Sequence, residues 1–184
     1  MKPLSQYIIE SQHELYHYTN VGNAINICAY DKFIASEDDG HNPKGYEYYI
    51  STTRQRNALT GYPTGMLGDD LVRFVFDGTS LNKFKIVPLD WGKAKGRAIK
   101  KNWPAGGEDF DKNITSIMLQ TNVESEDRIL LKKPEVNDIH KYIKEIHIDN
   151  TKVSPSEFHL FQTYCDLYNI RLMDMDHKQF ILGR

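Results

Sequence analysis

Three short stretches of the chain set polar, chemically able residues among strand-forming neighbours: Leu15-Tyr16-His17-Tyr18-Thr19-Asn20, Tyr49-Ile50-Ser51-Thr52-Thr53-Arg54 and Val123-Glu124-Ser125-Glu126-Asp127-Arg128. His17 brings an imidazole that can donate at one nitrogen and accept at the other. Glu124 and Glu126 lie two residues apart, so an extended backbone puts both carboxylates on one face. Ser51, Thr52 and Thr53 place hydroxyls on both faces of a strand, as many β proteins do. Other familiar chemistries lack their residues. The seven His are scattered; His13-Glu14-Leu15-Tyr16-His17 spells HExxH, but it runs into a stretch that reads as a strand rather than the helix that motif needs, and neither GxxxxGK[ST], GxGxxG nor GxSxG occurs. Metal catalysis, Walker-type nucleotide hydrolysis and esterase chemistry therefore lose their usual supports.

The elements around these stretches follow from local signals. Tyr16–Tyr18 reads as a strand; Thr19 or Asn20 can cap a helix whose Val21, Ala24, Ile25 and Cys28 recur at helical spacing. Lys32–Ser36 is expected extended, and Glu37–Gly45, dense in turn residues, is expected to be a mobile surface loop. Tyr46–Thr52, Leu71–Phe76, Lys83–Leu89 and Arg128–Leu131 have strand character, with the acidic run Glu124–Asp127 just ahead of the last. A helix is expected in the middle of Asp109–Asn122, and helix then strand at Val136–Tyr142 and Glu145–Ile148. Ser154-Pro155-Ser156-Glu157 supplies a cap, a proline at the first helical position and a reciprocal glutamate, ahead of Phe158, Phe161, Cys165 and Tyr168 at helical spacing. Ile170–Met173 and Gln179–Leu182 read as closing strands. Many short strands among few helices point to an α+β domain around antiparallel sheets.

A length of 184 residues fits a single domain spanning 1–184, and 40% apolar with 26% charged residues is a globular composition. Lys and Arg number 23 against 25 Asp and Glu, so contact with nucleic acid has to come from a local patch. The strongly basic segment Trp91–Trp103, with Lys93, Lys95, Arg97, Lys100 and Lys101 between two tryptophans, is the candidate: either a solvated helix face or a surface that tracks a nucleic-acid backbone or attracts an acidic protein. Cys28 and Cys165 each fall in an apolar helix-like stretch and read as buried thiols. With no secretory signal and no apolar run of about 20 residues, an intracellular, cytoplasmic location without membrane contact is expected.

The order and spacing of the three stretches resemble the ADP-ribosyltransferase superfamily: a His at the end of the first strand, a Ser/Thr-rich motif on a later strand, and a Glu just before a strand in the second half. The resemblance covers roughly residues 15 to 150. The first motif, with a helix rich in Asn and aliphatic residues after it, is also similar to DNA-modifying toxins of that superfamily and to transferase-like domains of phage proteins. The resemblance implies split antiparallel β-sheets with flanking helices, and NAD as ADP-ribose donor bound in the cleft between them.

That chemistry assigns roles to the residues. Cleaving the bond between nicotinamide and ribose develops positive charge on the sugar, as glycoside cleavage does. Glu126 is the implied carboxylate, bonding the ribose 2′-hydroxyl and stabilising the cation, with Glu124 serving the acceptor. This Glu-x-Glu pattern resembles that of arginine-modifying transferases, but those carry Arg in the first motif where this chain has His17. His17 is implied to bond the adenosine ribose, with Thr19 and Asn20 assisting it or capping the helix. Tyr18, Tyr48 or Tyr49 could stack on nicotinamide, and by period 2 only one of Tyr48 and Tyr49 can face the cleft. Ser51, Thr52 and Thr53 would shape the cleft and orient Glu126, and Arg54 suits the diphosphate, because a planar cation makes paired bonds to phosphate oxygens. The acceptor is a macromolecule, protein or nucleic acid, engaged through Lys93–Lys101. Two alternatives remain open in the sequence: a catalytically inactive binding or inhibitory protein on the same fold, and an NAD glycohydrolase with water as acceptor.

Overall fold

The computed structural model describes residues 14–40, 42–53, 71–81, 83–90 and 125–175, with the backbone alone described at residues 71, 88–90, 125 and 126. Arg54, Glu124, the basic segment Lys93–Lys101, and the expected elements in Asp109–Asn122 and Gln179–Leu182 lie outside the described residues.

Strand β1 (Glu14–Asn20) leads directly into helix α1 (Val21–Tyr30). The Asn20 side chain makes that switch, accepting the Asn23 N–H at 2.8 Å while its own backbone stays extended. Val21, Ala24, Ile27 and Cys28 form the buried stripe. The helix stops at Asp31, whose left-handed φ of 47° turns the chain into β2 (Lys32–Ile34). Then follow β3 (Ser36–Glu37), β4 (Tyr48–Thr52), β5 (Leu71–Asp77), β6 (Lys85–Asp90), β7 (Ser125–Leu131), β8 (Glu135–Asn137) and β9 (Ile143–Ile148). Helix α2 (Pro155–Tyr168) begins at the expected Ser154/Glu157 capping box and ends at Asn169 with φ 56°, before β10 (Arg171–Asp174).

Two four-stranded sheets result, ordered β1-β5-β9-β10 and β3-β4-β7-β6, with a two-stranded ribbon β2-β8 beside them. Among the described strands every pairing is antiparallel except β9 with β10. That exception follows from α2, which carries the chain back along the sheet so that β10 starts at the same end as β9. The first sheet packs Leu15, Phe74, Phe76 and Ile146 against Ala24 and Phe161 of the helices. Cys28 and Cys165 are both buried and free, as expected, one on each helix.

Asp31 fixes the helices to each other. Its carboxylate accepts the Tyr164 hydroxyl of α2 at 2.7 Å, and the backbone N–H and Nδ1 of His140 at 3.0 and 2.5 Å. His140 in turn stacks flat on Tyr168, with centroids 4.0 Å apart.

Three local expectations need correcting. Glu37–Gly45 is tied down: the Asp38 N–H donates to Glu47 O at 2.8 Å, and the buried Asn42 donates its amide to the carbonyls of Tyr46 and Tyr48 at 3.2 and 3.4 Å. Gly40 and Gly45 make this possible, with φ of 89° and 90° that side chains disfavour. Strand β7 begins at Ser125, so Glu126 stands within the strand rather than ahead of it. Val136–Tyr142 is no α-helix; Val136 pairs with Phe33 in the ribbon, Asp138 takes a left-handed φ of 56°, and only a 3-10 turn follows at Ile139–Lys141. Among the described residues no helix is long and apolar enough to cross a membrane.

Candidate active site at the junction of the two sheets

The sheets touch where β1 meets the end of β4. Tyr16 and Thr53 exchange two backbone hydrogen bonds, of 2.8 and 2.9 Å, in an isolated antiparallel bridge. Beside it a cavity of about 670 Å³ opens among β1, α1, β2 and β4, within the common size range of small-molecule sites. His17, Thr19, Tyr49 and Ser51 line it, together with Asn23 and Asn26 of α1 and Phe33 of β2.

His17 is held on both sides. Its Nδ1 lies 2.7 Å from the backbone carbonyl oxygen of Ser51, and its ring meets the Phe33 ring edge-on at 4.6 Å and 84°. A carbonyl oxygen only accepts, so the imidazole proton belongs on Nδ1 and Nε2 keeps its lone pair. Burial pushes the pKa down to about 4, and the Ser51 hydrogen bond opposes this only in part. At neutral pH the ring is uncharged, a donor toward the protein and an acceptor at its other nitrogen. That is the form needed to receive a hydroxyl proton from a sugar.

The remaining sequence-derived candidates sort by strand parity. Thr19 is buried on the His17 face of β1, whereas Tyr18 points to the opposite face. The Asn20 amide is committed to the α1 cap. On β4, Tyr49 and Ser51 share the cavity face. Thr52 is buried and donates its hydroxyl to the Asp127 carbonyl at 2.5 Å, which locks β4 to β7, and the Thr53 backbone makes the Tyr16 bridge. The β7 ladder pairs Asp127 with Thr52 and Arg128 with Ser51, so the backbone of Glu126 stands one step past the Thr52 pair, opposite Leu89 of β6.

Sequence reasoning did not single out Arg128, although it orders the cavity wall. The side chain is fully buried, with a forked pair of hydrogen bonds to Asp39 at 2.8 and 2.9 Å and a third to Asn42 at 3.2 Å. Its guanidinium carbon sits 3.8 Å from the Tyr49 ring centroid. The Glu37–Gly45 loop, β7 and the Tyr49 ring are thereby fastened by one cation. The signal was legible: a charge heading the apolar run Arg128-Ile129-Leu130-Leu131 needs a buried partner.

A second buried polar chain crosses the other sheet, outside the cavity lining. Arg73 donates to His147 Nδ1 at 2.6 Å, which leaves the proton on Nε2, 2.6 Å from Glu145 Oε2. Arg171 donates to the other Glu145 oxygen. Burial pushes the Glu145 pKa up, but the His147 hydrogen bond and the Arg171 charge outweigh it and hold it at about 2. The chain joins β5, β9 and β10, giving it a fold-stabilising place.

With this geometry in hand, comparison with solved structures is informative. The DarT of Thermus sp. 2.9 in complex with ADP-ribosylated ssDNA superposes with a TM-score of 0.56 at 10% identity, over 91% of this chain and 97% of that one. The same protein in complex with carba-NAD+ aligns at 0.48 and 12% identity, over 91% and 98% of the two chains. DarTG of Thermosipho africanus in complex with ADP-ribose aligns at 0.43 and 12%, over 88% of this chain and 50% of that one. No protein-family model and no curated protein match the sequence. At such identity the first alignment is a likeness of fold, and it is the likeness that the stretches around His17, Ser51 and Glu126 led one to expect. The chain has the α+β, split-sheet fold of an ADP-ribosyltransferase.

Proposed function

We propose that the chain transfers ADP-ribose from NAD to a nucleic acid. The single observation that carries this reading is the His17–Ser51 contact at the mouth of the sheet junction, which presents a neutral acceptor nitrogen in a cavity of dinucleotide size. The cavity's own residues suit the donor: His17 for a ribose hydroxyl, the Arg128-backed Tyr49 ring for a planar base, and the Asn23 and Asn26 amides for polar edges. The DarT structure of the same fold is a complex with ADP-ribosylated ssDNA, which favours nucleic acid over protein as acceptor.

In the reaction the bond between ribose C1′ and the nicotinamide nitrogen breaks, and nicotinamide leaves with the electron pair. An acceptor heteroatom forms the new bond to C1′ and releases its proton. Glu126 is the carboxylate proposed to steady the cationic sugar, Glu124 to assist the acceptor, and Arg54 to bind the diphosphate. Loss of one preorganised electrostatic partner lowers turnover by roughly 10²–10³.

The test is incubation of the purified chain with NAD labelled in the adenosine half, together with single-stranded DNA, RNA or cell lysate. Parallel protease and nuclease digestion follows, with mass spectrometry of the products. Label on nucleic acid that is lost in Glu126→Gln supports the proposal. Free ADP-ribose and nicotinamide without labelled acceptor indicates a glycohydrolase, no consumption of NAD an inactive binder, and labelling undiminished in Glu126→Gln another catalytic carboxylate.

A further inference from the structure

Away from the cavity, a shallow groove of about 470 Å³ runs between the β6–β7 edge and β8. Lys83, Lys85, Lys132 and Lys133 line it, interleaved with the rings of Tyr46, Phe84 and Tyr142. The Lys83 ammonium stands 4.5 Å from the Tyr142 centroid and 5.2 Å from that of Phe84, which itself packs edge-on to Tyr142 at 5.5 Å. Lys85 of β6 and Lys132, just past the end of β7, approach Tyr46 at 5.5 and 5.7 Å.

The local charge runs against that of the whole chain, whose formal net charge is -2. Among the described residues one carboxylate, Glu135, lines the groove, and it is paired with Lys32 at 2.9 Å. The four lysines thus present a local cationic excess. Tyr46 and Phe84 keep part of their surface exposed, whereas Tyr142 is buried as their support.

We propose that this groove binds single-stranded nucleic acid, its lysines tracking successive phosphates and its Tyr46 and Phe84 rings taking stacked bases. Cations alternating with rings match a polymer that alternates phosphates with flat bases, and only an unpaired strand offers its base faces. An acidic peptide would use the lysines but leave the rings without a role. The lysine contacts with the part-exposed Tyr46 and Phe84 rings are weak cation–π pairs that an incoming strand can exchange for phosphate contacts and stacking.

The groove also has a route to the reaction centre. Ribbon β2-β8 is their common wall: Lys32, Phe33 and Ile34 line the cavity, while their ladder partners Asn137, Val136 and Glu135 line the groove. Adjacent strands lie about 4.8 Å apart, so a bound strand needs to pass over one narrow ribbon to reach the cavity mouth. The groove thus names an acceptor-binding surface for the transfer proposed above, on which this inference rests for its purpose but not for its test.

That test is binding of a fluorescein-labelled single-stranded DNA oligonucleotide to the full chain without NAD, followed by anisotropy across a salt series. Four phosphate contacts give a slope of log affinity against log salt of about -3. Lys83→Ala with Lys132→Ala is expected to weaken binding about tenfold at low salt and roughly halve the slope. Tyr46→Ala is expected to weaken it with the slope unchanged, which separates stacking from charge. Lys144→Ala with Lys152→Ala, elsewhere on the surface, serves as the charge-matched control. The proposal is overturned if the wild-type chain does not bind, if the Lys83/Lys132 variant matches the control, or if a polyglutamate peptide of equal charge displaces the oligonucleotide. A chain that binds through Lys83 and Lys132 yet leaves NAD intact defeats the transferase reading alone, and one that consumes NAD while its DNA binding ignores these lysines defeats the groove alone.

Discussion

His17 Nδ1 and the Ser51 carbonyl oxygen, 34 residues apart in sequence, are 2.7 Å apart in space, and this contact sets the tautomer of an imidazole facing the cavity. Because burial depresses its pKa from 6.5 to about 4, the unfolded chain binds the extra proton between those values and the folded chain does not. This contribution to stability is therefore intact above pH 6.5 and is lost as pH falls from 6.5 toward 4. Glu145, held at about 2, gives a separate loss that begins below its ordinary value of 4.5. Urea midpoints measured across pH 4 to 6.5 should fall in the wild type and fall less steeply in His17→Asn.

The same contact uses backbone, not the serine hydroxyl. Ser51→Ala is expected to leave His17 titrating near 4 by NMR; because the Ser51 hydrogen bond raises the pKa against burial, a further drop would mean that the hydroxyl, not the carbonyl, fixes the ring.

Arg128 is buried on every side, but Asp39 keeps 38% of its side chain exposed. Removing the Asp39 carboxylate takes the forked pair from a buried cation that keeps Asn42 and a longer approach to Asp38 at 3.9 Å, while removing both charges leaves no buried cation to satisfy. Asp39→Ala should cost about 2–3 kcal/mol in urea unfolding, and Asp39→Ala with Arg128→Met less than the sum of the single changes.

What the sequence made legible is the part governed by local rules. The Asn20 cap, the Ser154/Glu157 box and the alternation in Leu71–Phe76 each act within a few residues, and each element formed where expected. Meeting points between distant segments were not legible in that way. Nothing near Arg128 names Asp39, 89 residues away, and nothing near Asp31 announces Tyr164. The loop at Glu37–Gly45 shows the cost of that blindness, because its turn-rich composition is the same whether solvent or a buried guanidinium satisfies its acids. Parity, by contrast, decided between Tyr18 and Thr19 as soon as His17 was known to face the cavity.

Cys28 and Cys165 test the packing between the helices. Burial pushes both thiols up, Cys165 to about 12 and Cys28 further. Neither forms appreciable thiolate at pH 8, so both should resist a thiol reagent in the native chain and react together on unfolding. Rapid native labelling of either would show that the α1–α2 contact opens locally.

Asp31 combines a backbone duty with a side-chain one, and substitutions can separate them. Its φ of 47° closes α1, while its carboxylate gathers His140 and Tyr164. Asp31→Gly keeps the left-handed turn but leaves the Tyr164 hydroxyl and the His140 N–H without their acceptor, at an expected cost of about 2–3 kcal/mol. Asp31→Asn tolerates the same φ and keeps one acceptor oxygen, so it should cost about 1 kcal/mol less. Equal losses in the two variants, measured by urea denaturation, would mean that the charge toward His140 is what matters. A larger loss in Asp31→Asn would mean that its amide, a donor where the carboxylate only accepts, clashes with the N–H groups it faces.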